Sequence, residues 1–218
     1  LICDLECVTA CSETYQQPAT LPVPLSGAYA RIATASDGVT QLVAFRGSIT
    51  PEDWIRDFIF LPIETTTHPQ LGPCHAGFLD DAMSIVPEVL NAVGDKPSIY
   101  TGHSLGGAVA LGVAALMYAA GKMPVKVVTF GAPRFGMRDF VNFTSPLAIT
   151  QYRRGNDIVP EVPHDVPPLF MFLDTRDPLI EIGHASLDVL STHHIEGYCA
   201  DIVSFEGVPK TSTAGAPA

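Results

Sequence analysis

Glycine stands at positions 102 and 106, and between them Ser104 sits where extended-chain formers give way to helix formers. Ser98, Ile99, Tyr100 and Thr101 favour a strand, while Leu105 to Ala120 is rich in Ala, Leu and Val and stops at Gly121. A strand that turns into a helix within three residues leaves no room for side chains on the flanking positions, so both are glycine and the serine between them is pushed out alone. The uncharged run from Pro97 to Gly121 does not read as a membrane span. Its part after the serine is too short, the part before contains His103 and Ser104, and four glycines interrupt it.

On either side of this corner the pattern alternates strand with helix. Leu1 to Thr14 reads as a short helix, followed by an irregular crossing with prolines at 18, 22 and 24. Ala28 to Ala35 alternates, Asp37-Gly38 signals a hairpin turn, and Val39 to Arg46 is a second strand. Leu61 to Pro73 reads as a connection, and a helix follows to about Val93. Val125 to Phe130 is apolar enough to be a central strand, and Ala148 to Arg153 is another. Leu169 to Leu173 and Leu179 to Ile182 are expected to pair as a hairpin, and Leu187 to Asp201 to return as helix. The chain is therefore expected to be one α/β domain over residues 1–218, a mostly parallel central sheet with helices on both faces, with a disordered tail over about 208–218.

A serine hydroxyl is a weak nucleophile at neutral pH. It needs an imidazole to take its proton and a carboxylate to hold that imidazole. In an α/β-hydrolase fold these follow the serine in the order acid, then histidine, on loops after later strands. Asp157 follows a strand directly, held between Gly155-Asn156 and Pro160, and is preferred to Asp165, Asp174 and Asp177 further along the loops. For the base, His164 lies too close in sequence to Asp157, and His184 beside Gly183 reads as the start of a helix. His193 and His194 remain, and as neighbours only one of them can face Ser104. The backbone N–H of Leu105 supplies one donor for an oxyanion, and Ser48, directly after Arg46-Gly47, is chosen for the second. The bland reading of Ser48 is a residue that merely opens a helix.

Thr50-Pro51 starts a short helix in which Trp54, Ile55 and Phe58 fall on one side. It reads either as a surface helix packed on the core or as a lid, about residues 49–59, whose apolar face covers an acyl pocket. His75 reads as a structural histidine. The net charge of −11 disfavours nucleic acid and anionic membrane surfaces as partners. Five cysteines include Cys3, Cys7 and Cys11, whose spacing lines one helical face. No Cys-x-x-Cys pair or ligand-spaced histidine accompanies them, so zinc is disfavoured, and a disulfide from this group to Cys199 is expected instead. That implies an oxidising compartment. The chain opens at Leu1 without a basic-then-apolar leader, which reads as a signal peptide removed or left out.

Five segments, Phe45-Arg46-Gly47-Ser48, His75-Ala76-Gly77-Phe78, Gly102 to Ala108, Thr129 to Arg134 and Gly155 to Pro163, taken in this order, resemble the class 3 lipases, the fungal secreted lipase and feruloyl esterase group. The resemblance covers roughly Val39 to Pro163. It implies a triad of Ser104, Asp157 and a carboxyl-terminal histidine, an oxyanion hole at Ser48 and Leu105, a lid around Thr50 to Phe58, and no metal or cofactor. Well-known fungal members carry His-x-x-Tyr at the base, whereas Tyr198 here is five residues beyond His193. That spacing resembles more distant members and selects His193. The expectation is a secreted, monomeric carboxylic ester hydrolase acting on an ester or lipid substrate, at an oil-water interface if it is a triacylglycerol lipase. A feruloyl or short-chain carboxylesterase would use the same triad, and a non-catalytic lipid- or protein-binding relative is the rival from another class.

Overall fold

A computed structural model describes residues 2–22, 24, 27–48, 65–164, 172–173, 179–188 and 190–207. The lid expected at about 49–59, with Trp54, Ile55 and Phe58, and the tail expected from 208 lie outside the described residues.

The elements in chain order are α1 (Asp4–Gln16), β1 (Ala30–Thr34), β2 (Gln41–Phe45), β3 (Thr65–His68), β4 (Gly72–His75), α2 (Ala76–Val93), β5 (Ser98–His103), α3 (Leu105–Ala119), β6 (Lys126–Phe130), α4 (Arg138–Thr144), β7 (Ile149–Arg154), β8 (Ile180–Ile182) and α5 (Ile195–Gly207). Six strands form the main sheet in the order β1-β2-β5-β6-β7-β8, antiparallel only between β1 and β2. The turn at Asp37-Gly38 joins that antiparallel pair, with the Asp37 carboxylate accepting from the Val39 and Thr40 N–H groups at 2.9 and 2.8 Å.

Alternation along the strands sends neighbouring side chains to opposite faces. Val43, Phe45, Tyr100 and Val127 pack with α2 and α3 in one apolar cluster, whereas Leu42, Ile99 and Val128 pack with α1 and α5 in the other. With helices on both faces, β5 is buried along its whole length, as parallel strands require. α3 is apolar all round and buried nearly all round, so side chains such as Leu111 and Met117 each contribute about 1.5–3 kcal/mol by leaving water.

The structure corrects four expectations. Among the described residues, Ile180–Ile182 adds to the sheet parallel to β7 and Leu173 bridges Gly136 instead of pairing with it, while 169–171, the rest of the expected hairpin, lie outside the described residues. The connection read over Leu61 to Pro73 contains strand, because Thr65–His68 pairs with Gly72–His75 in a small antiparallel ribbon. The helix read over Leu187 to Asp201 is instead a 3-10 turn at Leu190–His193 followed by α5. All five thiols are free. Cys7 and Cys11 point into the core as small apolar groups, with Cys11 Sγ 3.2 Å from Thr101 Oγ1, while the Cys199 thiol donates to the Val8 carbonyl at 3.8 Å. The two ends meet through packing of α1 on α5, with the Glu206 carboxylate accepting from the Asp4 and Leu5 N–H groups at 2.9 and 3.3 Å. A carboxylate there satisfies donors that every helix leaves open at its amino end.

Candidate active site

β5 ends at His103, α3 starts at Leu105, and Ser104 between them has φ 58° and ψ −133°. It is the one non-glycine residue with positive φ among the described residues. Its N–H donates to the Phe130 carbonyl at 3.0 Å, and its own carbonyl accepts from Gly107 N–H at 2.9 Å, so the strained turn is pinned at both ends. A Cβ on Gly102 would lie 2.1 Å from the Gly106 carbonyl oxygen, and one on Gly106 would lie 2.2 Å from that of Phe45. Backbone meets backbone at both points. No side chain fits.

The Ser104 hydroxyl lies 2.8 Å from His193 Nε2, and His193 Nδ1 lies 2.8 Å from Asp157 Oδ2. A carboxylate only accepts, so Nδ1 carries the proton and Nε2 accepts from the Ser104 hydroxyl. His193 closes the 3-10 turn, and His194 after it is exposed, as are His184 and His164. Of the sequence candidates, Ser104, His193 and Asp157 are brought together, and the other described histidines considered as bases are not.

Asp157 follows β7 through Gly155, whose φ is 51°, and Asn156, which exchanges two hydrogen bonds with the Ser186 backbone at 2.9 Å each. Asp157 is fully buried, with Oδ1 accepting from Val159 N–H at 3.0 Å and Oδ2 accepting from the Tyr198 hydroxyl at 2.6 Å. Burial, the largest single influence, raises its pKa. The neighbouring His193 and the hydrogen bonds from His193, Tyr198 and Val159 together outweigh it and hold the carboxyl below its usual range. Burial and the Asp157 charge push the Tyr198 phenol well above its ordinary value, so it remains a donor. Arg154 N–H donates to the same phenol oxygen at 3.1 Å.

Ser48 and Leu105 line one cavity of about 170 Å³ with Phe45, Arg46, Tyr29 and Val109. Its wall combines apolar side chains with the Arg46 guanidinium, which stacks 3.7 Å over the Tyr29 ring. An ester carbonyl there would meet the amino end of α3. Sequence reading used Tyr198 only as a spacing mark and missed its contact with Asp157. It also passed over His103 and Tyr15, which lie against the same histidine and turn. A histidine inside a run of buried strand residues was the available signal, because such a ring must find partners.

The sequence model of the family described as "Lipase (class 3)" matches residues 42–166. Among curated relatives, the secreted mono- and diacylglycerol lipase 1 of Fusarium solani is 34% identical over 148 residues, covering 63% of this chain and 43% of that protein. A lipase of Rhizomucor miehei is 33% identical over 159 residues, 66% of this chain and 42% of the relative. The chain thus spans less than half the length of these two relatives. A solved triacylglycerol lipase whose catalytic centre is formed by a serine protease triad superposes with a TM-score of 0.63 at 24% identity, over 82% of this chain and 76% of its own. That likeness identifies the α/β-hydrolase fold.

Proposed function

The chain belongs to the class 3 lipase family, and from that premise we propose that it hydrolyses carboxylic esters of the acylglycerol class through an acyl-Ser104 intermediate. The carrying observation is the pair of 2.8 Å contacts that join Ser104 Oγ, His193 and Asp157 in one line. Ser104 Oγ attacks the ester carbonyl carbon while its proton passes to His193 Nε2. The oxyanion collects at the backbone N–H groups of Leu105 and Ser48. Collapse expels the alcohol, which takes the proton from His193. Water then repeats the sequence on the acyl group, giving its proton to His193, and Ser104 leaves with that proton restored.

Asp157 fixes the histidine tautomer and stabilises the imidazolium without taking the proton itself. Every step so written uses side-chain and backbone groups of one chain and water, and the reading is of a monomer without metal or cofactor. The Fusarium relative, a secreted lipase by name, supports secretion. Ser104 is fully buried, and the dependence of rate on droplet formation tests whether a lipid surface gates access to it.

A second reading, a short-chain carboxylesterase, is favoured by the small cavity beside Ser48 and Leu105. Labelling with a fluorophosphonate probe tests the mechanism: wild type is expected to label and Ser104→Ala not to. Labelling that persists in the variant would refute the assignment. Rates on p-nitrophenyl esters of rising chain length, set against triolein droplets, separate the two substrate readings. A rate that climbs as triolein passes from dispersed molecules to droplets supports the lipase, and a maximum at short soluble esters supports the esterase.

A further inference from the structure

Gly47, which precedes the oxyanion residue Ser48, is surrounded on three sides. A Cβ placed on it would lie 2.5 Å from the Tyr15 hydroxyl, 2.7 Å from the His103 carbonyl oxygen and 2.9 Å from Ser104 Cβ. α1, the end of β5 and the loop after β2 therefore converge where no side chain can stand. Two of the three atoms that meet there are polar, and Gly47 and His103 are buried while Tyr15 is half-buried, so their hydrogen bonds can be traced.

Gly47 N–H donates to the Tyr15 hydroxyl oxygen at 3.2 Å. That hydroxyl lies 2.8 Å from His103 Nδ1, and His103 Nε2 lies 2.7 Å from the backbone carbonyl oxygen of His193. A carbonyl only accepts, so Nε2 carries the ring proton. Nδ1 of the neutral ring is then an acceptor, the Tyr15 O–H donates to it, and the tyrosine oxygen is left to accept from Gly47. All the bonds run in one direction. Burial pushes His103 down to about 3, with the nearby His193 adding to the effect, so the ring stays neutral and the direction does not reverse. The His103 and His193 rings lie 4.8 Å apart between centroids at 31°.

We propose that Tyr15 and His103 are positioning residues, which hold the Gly47-Ser48 loop and the backbone of His193 at a fixed separation through one line of hydrogen bonds. The inference rests on the hydrolase reading above, in which Ser48 and His193 act on opposite sides of the reacting carbonyl. An attack that forms an oxyanion and moves a proton together requires both groups in place at once, and neither Ser104 nor Asp157 links them. The line does, from outside the triad. It also gives the amino-terminal helix a function: the last turn of α1 supplies its central hydroxyl.

The test uses the full chain with Tyr15→Phe, His103→Ala, His103→Gln and the double variant Tyr15→Phe/His103→Ala, assayed on p-nitrophenyl butyrate. Tyr15→Phe is expected to lower kcat about 10-fold with KM within about twofold, and to slow fluorophosphonate labelling of Ser104 in step. His103→Ala is expected to lose more, about 100-fold, and His103→Gln, whose amide can still donate toward the His193 carbonyl, to recover part of it. With the line already cut, adding Tyr15→Phe to His103→Ala should cost nothing further. A Tyr15→Phe enzyme that keeps kcat within about twofold of wild type, or losses that multiply in the double variant, overturns the proposal. Amide exchange at Gly47 reads the line without turnover: protection in wild type that disappears in Tyr15→Phe supports it, and equal exchange overturns it. A wild type that neither labels nor hydrolyses, yet shows that loss of protection, would sink the hydrolase reading while leaving the line standing.

Discussion

Ser104 is held in a backbone conformation that glycine adopts freely and a residue with a Cβ does not, at a cost of about 1–3 kcal/mol. Comparing two variants that both lack the hydroxyl isolates that strain. Ser104→Ala and Ser104→Gly both lose the hydroxyl, but only glycine relaxes the turn, so Ser104→Gly should be the more stable by about 1 kcal/mol in urea unfolding. Equal stabilities would mean that the corner stores no strain. His103 makes a second residue-scale prediction through pH. Its folded pKa, about 3, lies below the ordinary value of 6.5 because burial disfavours the cation. Above about pH 6.5 the ring is neutral in both states and contributes no pH dependence. As pH falls below that value the unfolded chain takes up a proton that the folded protein refuses, so stability drops by about 1.4 kcal/mol per pH unit until the folded pKa is reached. The groups facing the ring are Tyr15 on α1, His193 and His194 on the turn before α5, Tyr198 on α5, and Asp157 after β7. His103→Gln keeps them and removes only this titration. The stability gap between wild type and that variant is therefore expected to narrow by about 1.4 kcal/mol per pH unit between pH 6 and 4, and parallel curves would show that His103 titrates normally.

At the scale of elements, the strand-to-helix corner holds only because β5, α3 and the loop after β2 approach at glycines. Gly102→Ala would drive a methyl group into the Gly106 carbonyl, which is backbone and has no rotamer to yield, so a loss of about 3 kcal/mol or more is expected. Calorimetry on the Ser104→Ala background would read it apart from activity, and a melting point within a degree of the parent would contradict the packing. This corner was the most legible part of the sequence, because β5, its glycines and α3 are neighbours in the chain and their constraint is local. Asp157 was legible for the same reason, standing directly after the strand that presents it. What is set by distant partners was not. Ile180–Ile182 is three residues long, too short for its pattern to reveal that it pairs with β7 rather than with the segment before it. The i, i+4 spacing of Cys7 and Cys11 showed a helical face but not that the face was core, where a thiol serves as a small hydrophobe. His103 stood in plain view beside the serine, yet its partners Tyr15 and His193 are 88 and 90 residues away along the chain.

Over the whole molecule, charge and closure work together. Helices α1 and α5 clasp across the ends of the chain, and Lys126 donates to the Asp4 carboxylate and to the Ile2 carbonyl, tying β6 to the amino-terminal segment. α1 is thereby anchored from both sides while its last turn carries Tyr15. The chain bears 12 Lys and Arg against 23 Asp and Glu, a net charge of −11. Such a surface is repelled by an anionic interface over a distance of about one Debye length, roughly 8 Å at physiological salt and longer in dilute buffer. On the ester-hydrolase reading proposed above, a protein of this charge approaches its substrate where that field is weak, so neutral or zwitterionic droplets suit it better than anionic ones. In about 10 mM salt, hydrolysis of an acylglycerol dispersed in phosphatidylcholine is expected to outpace the same substrate in phosphatidylglycerol several-fold, and the difference should close by about 0.5 M salt, where the Debye length falls to a few ångströms. The initial rate measured at matched droplet area across that salt series decides it. A preference for the anionic surface at low salt would show that a local cationic face, rather than the net charge, governs approach.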